Sequence, residues 1–179
     1  MFEAALAYLG LQVAKFQFRS FVDEVQPMTD FFRSAKRVLI TLPTEYEEAV
    51  LASDALRELR AKRGNLRLTV VHTSTRTTSL ADFPNCEVVR IDPADIGKLS
   101  LPSRAFLQRL LHNKYDVAVD LNLDFVLHTA YICKASRASV RVGFAHEAAD
   151  AFFNVQLRMN TQQTPQALYR HFAACLAMF

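Results

Sequence analysis

Residues 37–48 read Arg37-Val-Leu-Ile-Thr-Leu-Pro-Thr-Glu-Tyr-Glu-Glu48, an apolar run rich in β-branched residues that turns through Pro43 into an acidic helix start. A continuous apolar run of this kind predicts a strand buried on both faces, the condition of a strand inside a parallel sheet. The helix that follows should occupy residues 45–62, because Ala49, Ala52, Leu56 and Leu59 fall on one face and Gly64 is suited to end it. Strand, tight turn and helix form the opening unit of a βαβ fold.

The same alternation recurs down the chain. Runs at 68–72, 88–91, 115–121 and 139–144 read as further strands, and 152–159 is a candidate sixth. Helical periodicity places Phe106, Leu107, Leu110 and Leu111 inward over 104–113, with Pro102 near the start. It places Phe125, Thr129, Ile132 and Cys133 inward over 124–136, and Leu168, Phe172, Cys175 and Leu176 inward over 164–179. Repeated right-handed crossovers make this an α/β protein, a single Rossmann-like doubly wound parallel sheet of order 3-2-1-4-5. The expected division is a helical extension over 1–36 and the Rossmann-like domain over 37–179. Such sheets bind ligands beyond the carboxyl ends of the strands, where the strand order reverses. Here that crevice lies between strands 1 and 4, bordered by 43–48, 122–128 and 143–146.

The first turn limits what can bind there. A pyrophosphate needs glycines that let backbone amides approach it. This turn has no glycine, and Glu45, Glu47 and Glu48 would repel phosphate. No dinucleotide, and no other cofactor, is expected. Thr44 with Glu47 three residues on fits a capping box, which accounts for two of the carboxylates as helix-start groups. Glu48 lies one residue beyond the box, facing the crevice.

Working outward to the whole chain, 179 residues with 51% hydrophobic and 22% charged composition exclude disordered and fibrous classes and leave room for one domain. The net charge of +3 divides into −2, +3 and +2 over 1–60, 61–120 and 121–179. That is too even for a nucleic-acid partner, which requires a basic face. Cys86, Cys133 and Cys175 are odd in number and widely spaced, as for reduced, buried thiols in a cytoplasmic protein. Neither they nor His72, His112, His128, His146 and His171 show metal-ligand spacing, so no metal is expected. The Ser/Thr-rich stretch 73–79, with Arg76, reads as a turn segment.

Residues 1–21 carry an apolar run, 4–14, interrupted by Gly10 and Gln12 and about half the length a bilayer span requires. It reads as a helix docked on the domain, on a second copy or on a partner chain. The alternative is peripheral contact with the inner membrane surface through 1–21, with Lys15 and Arg19 toward headgroups.

The segments Arg37-Val-Leu-Ile-Thr through Ala55-Leu56-Arg57, Tyr115-Asp-Val-Ala-Val-Asp120-Leu and Arg141-Val-Gly143-Phe144 resemble, in order and spacing, the amino-terminal half of the heptosyltransferase-like, family-nine glycosyltransferases. That family's pattern is a strand, a loop ending in Gly-Asp, a helix carrying Leu-Pro-Ala-Leu, then YDLVIDLQG and RIGF. Phe152-Phe153-Asn154 and the helix from Tyr169-Arg170-His171-Phe172 to Leu176 are similar to its FYN element and closing helix. The likeness runs from Arg37 to the last residue. It implies half of a GT-B architecture, in which the first domain holds a saccharide acceptor and a carboxylate base and the second holds the nucleotide sugar. Counted without gaps from Arg37, Gly-Asp falls on Glu47-Glu48, so Glu48 keeps a carboxylate at the base position, one methylene longer. Gln-Gly after strand 4 becomes Asn122-Leu123, and Leu-Pro in the first helix becomes Ser53-Asp54.

The resemblance therefore implies the acceptor-side half of an inverting glycosyltransferase acting on a saccharide or glycolipid of lipopolysaccharide type. Glu48 would be the base, and Thr44, Asn122, Asp124 and His128 the substrate contacts. The nucleotide sugar is expected to enter only through a second domain beyond these residues, so the chain alone is not expected to transfer sugar. The alternative is a non-catalytic stand-alone domain of the same descent that binds a saccharide or a protein; an unrelated small-molecule enzyme on this fold is a third reading. At residue level, Asn122 and Asp124 could equally cap the next helix, His128 could sit on a helix surface, Asp120 could bond neighbouring loop amides, and Gly143 could permit a close backbone approach.

Overall fold

The structure, a computed structural model, describes residues 2–23, 34–62, 65–73, 85–158 and 162–178. Gly64 and residues 74–79 of the Ser/Thr-rich stretch lie outside them. Six parallel strands form one sheet: β1 (Arg37–Thr41), β2 (Arg67–His72), β3 (Cys86–Arg90), β4 (Val117–Asp120), β5 (Val140–Phe144) and β6 (Val155–Leu157). Their order is β3-β2-β1-β4-β5-β6, so the expected order holds and the candidate sixth strand is real. Among the described residues the α-helices are α1 (Phe2–Phe18), α2 (Tyr46–Lys62), α3 (Arg104–Leu110), α4 (Leu127–Ala135) and α5 (Pro165–Met178).

Alternation along each strand sorts the core into two layers. Val38, Ile40, Val117, Val119, Val140 and Val142 meet α2 and α5, where Ala52, Leu56, Leu59, Tyr169 and Phe172 are buried. Leu39, Val71 and Ala118 meet α3 and α4 on the opposite face, through Phe106, Leu110, Ala130, Ile132 and Cys133. Of the inward residues expected from helical spacing, Ala49, Ala52, Leu56, Leu59, Phe106, Leu110, Thr129, Ile132, Cys133, Leu168 and Phe172 are buried, Leu107, Leu111 and Cys175 are half-buried, and Phe125 lies before α4, which starts at Leu127 and not near Asp124.

α1 runs along the outside of α4. Ala14 is fully buried in that layer, and Gly10 sits where an added Cβ would lie 1.9 Å from the Leu99 carbonyl oxygen. Only a residue without a side chain allows the helix this close. Tyr131 donates to Gln17 at 2.8 Å, and Phe18 packs against Tyr131 with ring centroids 4.8 Å apart. Beyond the helix, Asp23 accepts from Arg141 Nη2 at 2.6 Å and Lys134 Nζ at 3.2 Å. Burial raises the Asp23 carboxyl, but bonds and charge from the two cations outweigh it and hold it below the usual carboxylate range.

Gly143 fulfils its expected role, since a Cβ there would lie 2.8 Å from the Phe153 ring. The three cysteines are free thiols; Cys133 is buried, whereas Cys86 and Cys175 are half-buried, so the expectation of burial holds for one of them.

Candidate functional site

The order reversal brings β1 and β4 side by side, with Thr41 opposite Asp120 at their carboxyl ends. Asp120 is 4% exposed at the last position of β4, and a bare carboxylate there would be strongly disfavoured. Its oxygens are satisfied by neighbours. Oδ1 accepts from the Thr41 hydroxyl at 3.0 Å, the Asn122 amide at 3.1 Å and Asn122 Nδ2 at 2.6 Å, while Oδ2 accepts from the Thr129 hydroxyl at 2.9 Å. Burial raises its pKa, and the bonds from Asn122, Thr129 and Thr41 act against that rise. Asp120 thus bonds the loop amide as expected, and it is also the hub of a side-chain network.

Asn122 connects the two loops. Its Oδ1 accepts from the Thr44 amide at 3.0 Å, and its Nδ2 also approaches the Leu42 carbonyl at 3.4 Å and Thr129 Oγ1 at 3.2 Å. Two local expectations change here. The residue preceding α2 is Glu45, and the Thr44 group engaged is its backbone N–H and not its hydroxyl, because Asn122 reaches over from the β4 loop and fixes the turn. Nor do Asn122 and Asp124 cap α4: the residue before that helix is Val126, which makes no side-chain cap, and the Val126 carbonyl has the Thr129 hydroxyl at 3.0 Å.

Glu48 sits in the first turn of α2, half-buried, with Oε2 3.3 Å from the Tyr169 hydroxyl of α5. That hydroxyl also lies 3.1 Å from the Leu121 carbonyl. One phenolic proton serves one acceptor at a time, so donation to Leu121 leaves the phenol oxygen free to accept from a protonated Glu48. Burial raises the Glu48 pKa, the Tyr169 bond opposes the rise, and Asp124 and Glu45 add to it by repulsion. Thr44, Asn122, Glu48 and Asp124 are therefore one neighbourhood, coupled by a hydrogen bond or by charge.

His128 stands apart in α4. Its Nε2 is buried with no hydrogen-bond partner among the described residues, and burial lowers its pKa to about 4. The residue as a whole is half-buried, between the surface and the core, and it is not bonded to the other four. The recess beside the site, lined by Asp120, Asn122, Asp124, Phe125, His146 and Phe153, holds about 10 Å³. That is no more than about one water. Phe125 and His146 stack across it at 5.3 Å, so the crevice expected to receive a saccharide is filled on this side by the chain's own rings. Thr41, Thr129 and Tyr169 are site residues that sequence reasoning missed; Tyr169 stands 121 positions from Glu48, and no local spacing links them. Among the described residues, no group of three or more His, Cys, Asp or Glu could hold a metal ion.

A six-stranded parallel sheet of order 3-2-1-4-5-6, with a half-buried carboxyl beside a closed polar network at its reversal point, defines a Rossmann-like domain, and solved structures share its fold. The chain is similar to the E. coli heptosyltransferase WaaC with ADP at TM-score 0.59 and 16% identity, over 78% of this chain and 46% of that one. It is similar to a family 9 glycosyl transferase from Veillonella parvula at 0.59 and 17%, over 80% and 42%. It is also similar to the E. coli ADP-heptose lps heptosyltransferase II at 0.60 and 16%, over 76% and 40%. The chain thus spans less than half the length of each. No curated protein matches it. A family model matches residues 9–169, and the chain belongs to that family, DUF6913, described as a family of unknown function.

Proposed function

We propose that the chain is the acceptor-side domain of a glycosyltransferase, working in the cytoplasm with a donor-binding domain that carries the nucleotide sugar. Glu48 carries this reading: it stands at the reversal of strand order with its pKa raised by burial and by neighbouring carboxylates. A carboxylate with raised pKa is a stronger base, which inverting transfer needs. The acceptor hydroxyl oxygen attacks the anomeric carbon, its proton passes to a Glu48 carboxylate oxygen, and the nucleoside diphosphate leaves with the electron pair of the broken C–O bond. The acceptor, a saccharide or glycolipid, would lie over the rim formed by Thr44, Asn122 and Asp124, with His128 as an outer contact.

The test is a titration followed by amide resonances. A lipopolysaccharide core saccharide should perturb 44–48 and 122–124, and a nucleotide sugar should leave the chain unperturbed. Nucleotide-sugar binding would contradict the placement of the donor on another domain. In any complex that shows transfer, turnover retained by Glu48→Gln would remove the base assignment.

One observation favours the alternative of a non-catalytic domain that binds a saccharide or a protein. Asp120, Thr41, Asn122 and Thr129 direct their hydrogen bonds at one another, and the adjoining recess is about 10 Å³. Silence toward both sugar panels would decide for a protein partner.

A further inference from the structure

α1 is apolar on both sides. At about 100° per residue its inward arc holds Gly10 and Ala14, and the opposite arc carries Tyr8, Leu9, Gln12, Lys15, Phe16 and Arg19. Tyr8 is 66% exposed, Leu9 51% and Phe16 62%, and Val22 just beyond the helix is 86% exposed. A helix that rests one face on a protein normally turns a charged face to water. This one turns out three large apolar or aromatic side chains and two cations, and positions 4–22 contain no acidic residue. Arg19 lies over the Phe16 ring at 3.9 Å, which keeps charge and ring together at one end of the stripe. Arg137, also exposed, stands 5.9 Å from the Phe21 ring at the same end.

We propose that this outer face of α1 rests on an anionic lipid surface, with Leu9 and Phe16 entering the headgroup boundary, Tyr8 at its edge, and Lys15, Arg19 and Arg137 over the lipid charges. Apolar side chains with cations among them and no acidic neighbour over 4–22 match that surface in both polarity and charge. A second copy is a poorer match. The stripe from residue 4 to 18 is about 22 Å long and about 10 Å wide, a contact several-fold smaller than the ~800 Å² per partner of a standard interface. A facing copy would also offer Lys15 and Arg19 no acidic partner from the same stripe. No helix is long and apolar enough among the described residues to cross a membrane, so the contact is peripheral. The inference stands on α1 alone and does not depend on the role of Glu48.

The test is flotation of the intact chain with vesicles of phosphatidylcholine alone or mixed with phosphatidylglycerol. Binding is expected only to the mixed vesicles, and raising salt should weaken it. The double variant Leu9→Ser/Phe16→Ser should lower partitioning at least tenfold with an unchanged melting temperature, since both side chains project outward. Lys15→Glu/Arg19→Glu should lower it by about 30-fold or more, at about 1 kcal/mol per basic residue. The chain has no tryptophan, so Tyr8→Trp supplies a background-free signal whose emission should shift to the blue on the mixed vesicles. Absence of flotation, or equal flotation of the Leu9/Phe16 double variant, would overturn the proposal. So would a concentration-dependent dimer abolished by the same substitutions, which would assign the face to a protein contact.

Discussion

Two carboxyl groups within the same few residues of the crevice show how environment divides roles. Asp120 is enclosed by four hydrogen bonds and holds loops; Glu48 has one bond partner, Tyr169, and two acidic neighbours. Because the folded-state pKa of Glu48 is raised, its contribution favours folding below the usual glutamate range and is lost as pH rises through the folded value. Glu48→Gln should therefore stabilise the chain at pH 7 by a few tenths to about 1 kcal/mol, with the gain vanishing near pH 4. Urea unfolding at both pH values checks it, and a gain that persists at low pH would point to a packing effect. His128 has the opposite sign. Held down to about 4 from 6.5, it supports folding above 6.5 and withdraws that support as pH falls through 4. His128→Gln should remove up to about 2 to 3 kcal/mol of acid-induced loss between those limits, which a series of unfolding midpoints from pH 7 to pH 4 would resolve. Glu48 and Asn122 were legible as residues bordering the crevice because each falls just past a recognisable strand. Thr129 was read only as an inward helical residue and Tyr169 only as part of a closing helix. Their hydroxyls reach the site through tertiary packing, which leaves no trace in spacing.

At the scale of single elements, the strands were the most legible part, since a strand buried on both faces must be continuously apolar. Helix starts were less so. Asp124 resembles a cap, but its segment is held as a loop by the network around Asp120, and α4 begins three residues later. Sequence reads α1 as a helix docked on the domain, and so it lies; two of its fastenings join points that sequence does not connect. One is the close approach at Gly10. The other is Asp23, which neutralises Arg141 and Lys134, whose side chains are 1% and 6% exposed. Removing that carboxylate leaves two buried cations, so Asp23→Ala should lower stability by about 2 to 4 kcal/mol. Amide exchange should show the loss concentrated in α1 and α4, and Asp23→Glu should recover part of it. Gly143→Ala, which presses a methyl group onto the Phe153 ring at 2.8 Å, should cost about 1 to 3 kcal/mol by overpacking, measurable by thermal unfolding.

Over the whole molecule, strand order was legible because right-handed crossovers leave few arrangements, and β1 at the centre of a 3-2-1-4-5-6 sheet satisfies them. What sequence could not give is how full the crevice is. That depends on where the Phe125 and His146 rings turn, and ring orientation is settled only when the loops pack. The fold is shared with glycosyltransferases of which the chain spans 40–46% of the length. At the level of this chain, a nucleotide sugar in large excess should leave the melting temperature unchanged, since a ligand stabilises only what it binds. An upward shift would mean that a donor site exists within these residues.

The Asn122 carboxamide has one last implication. It bridges the seam at which the two halves of the sheet diverge, touching Thr44 and Leu42 on one bank and Asp120 and Thr129 on the other. A guest cannot pry the banks apart without first withdrawing this rivet, so admission and partial unzipping of the central strands would be a single event. With the rivet in place the rim is a stiff ledge, which would select a visitor by shape already set and would not yield to it.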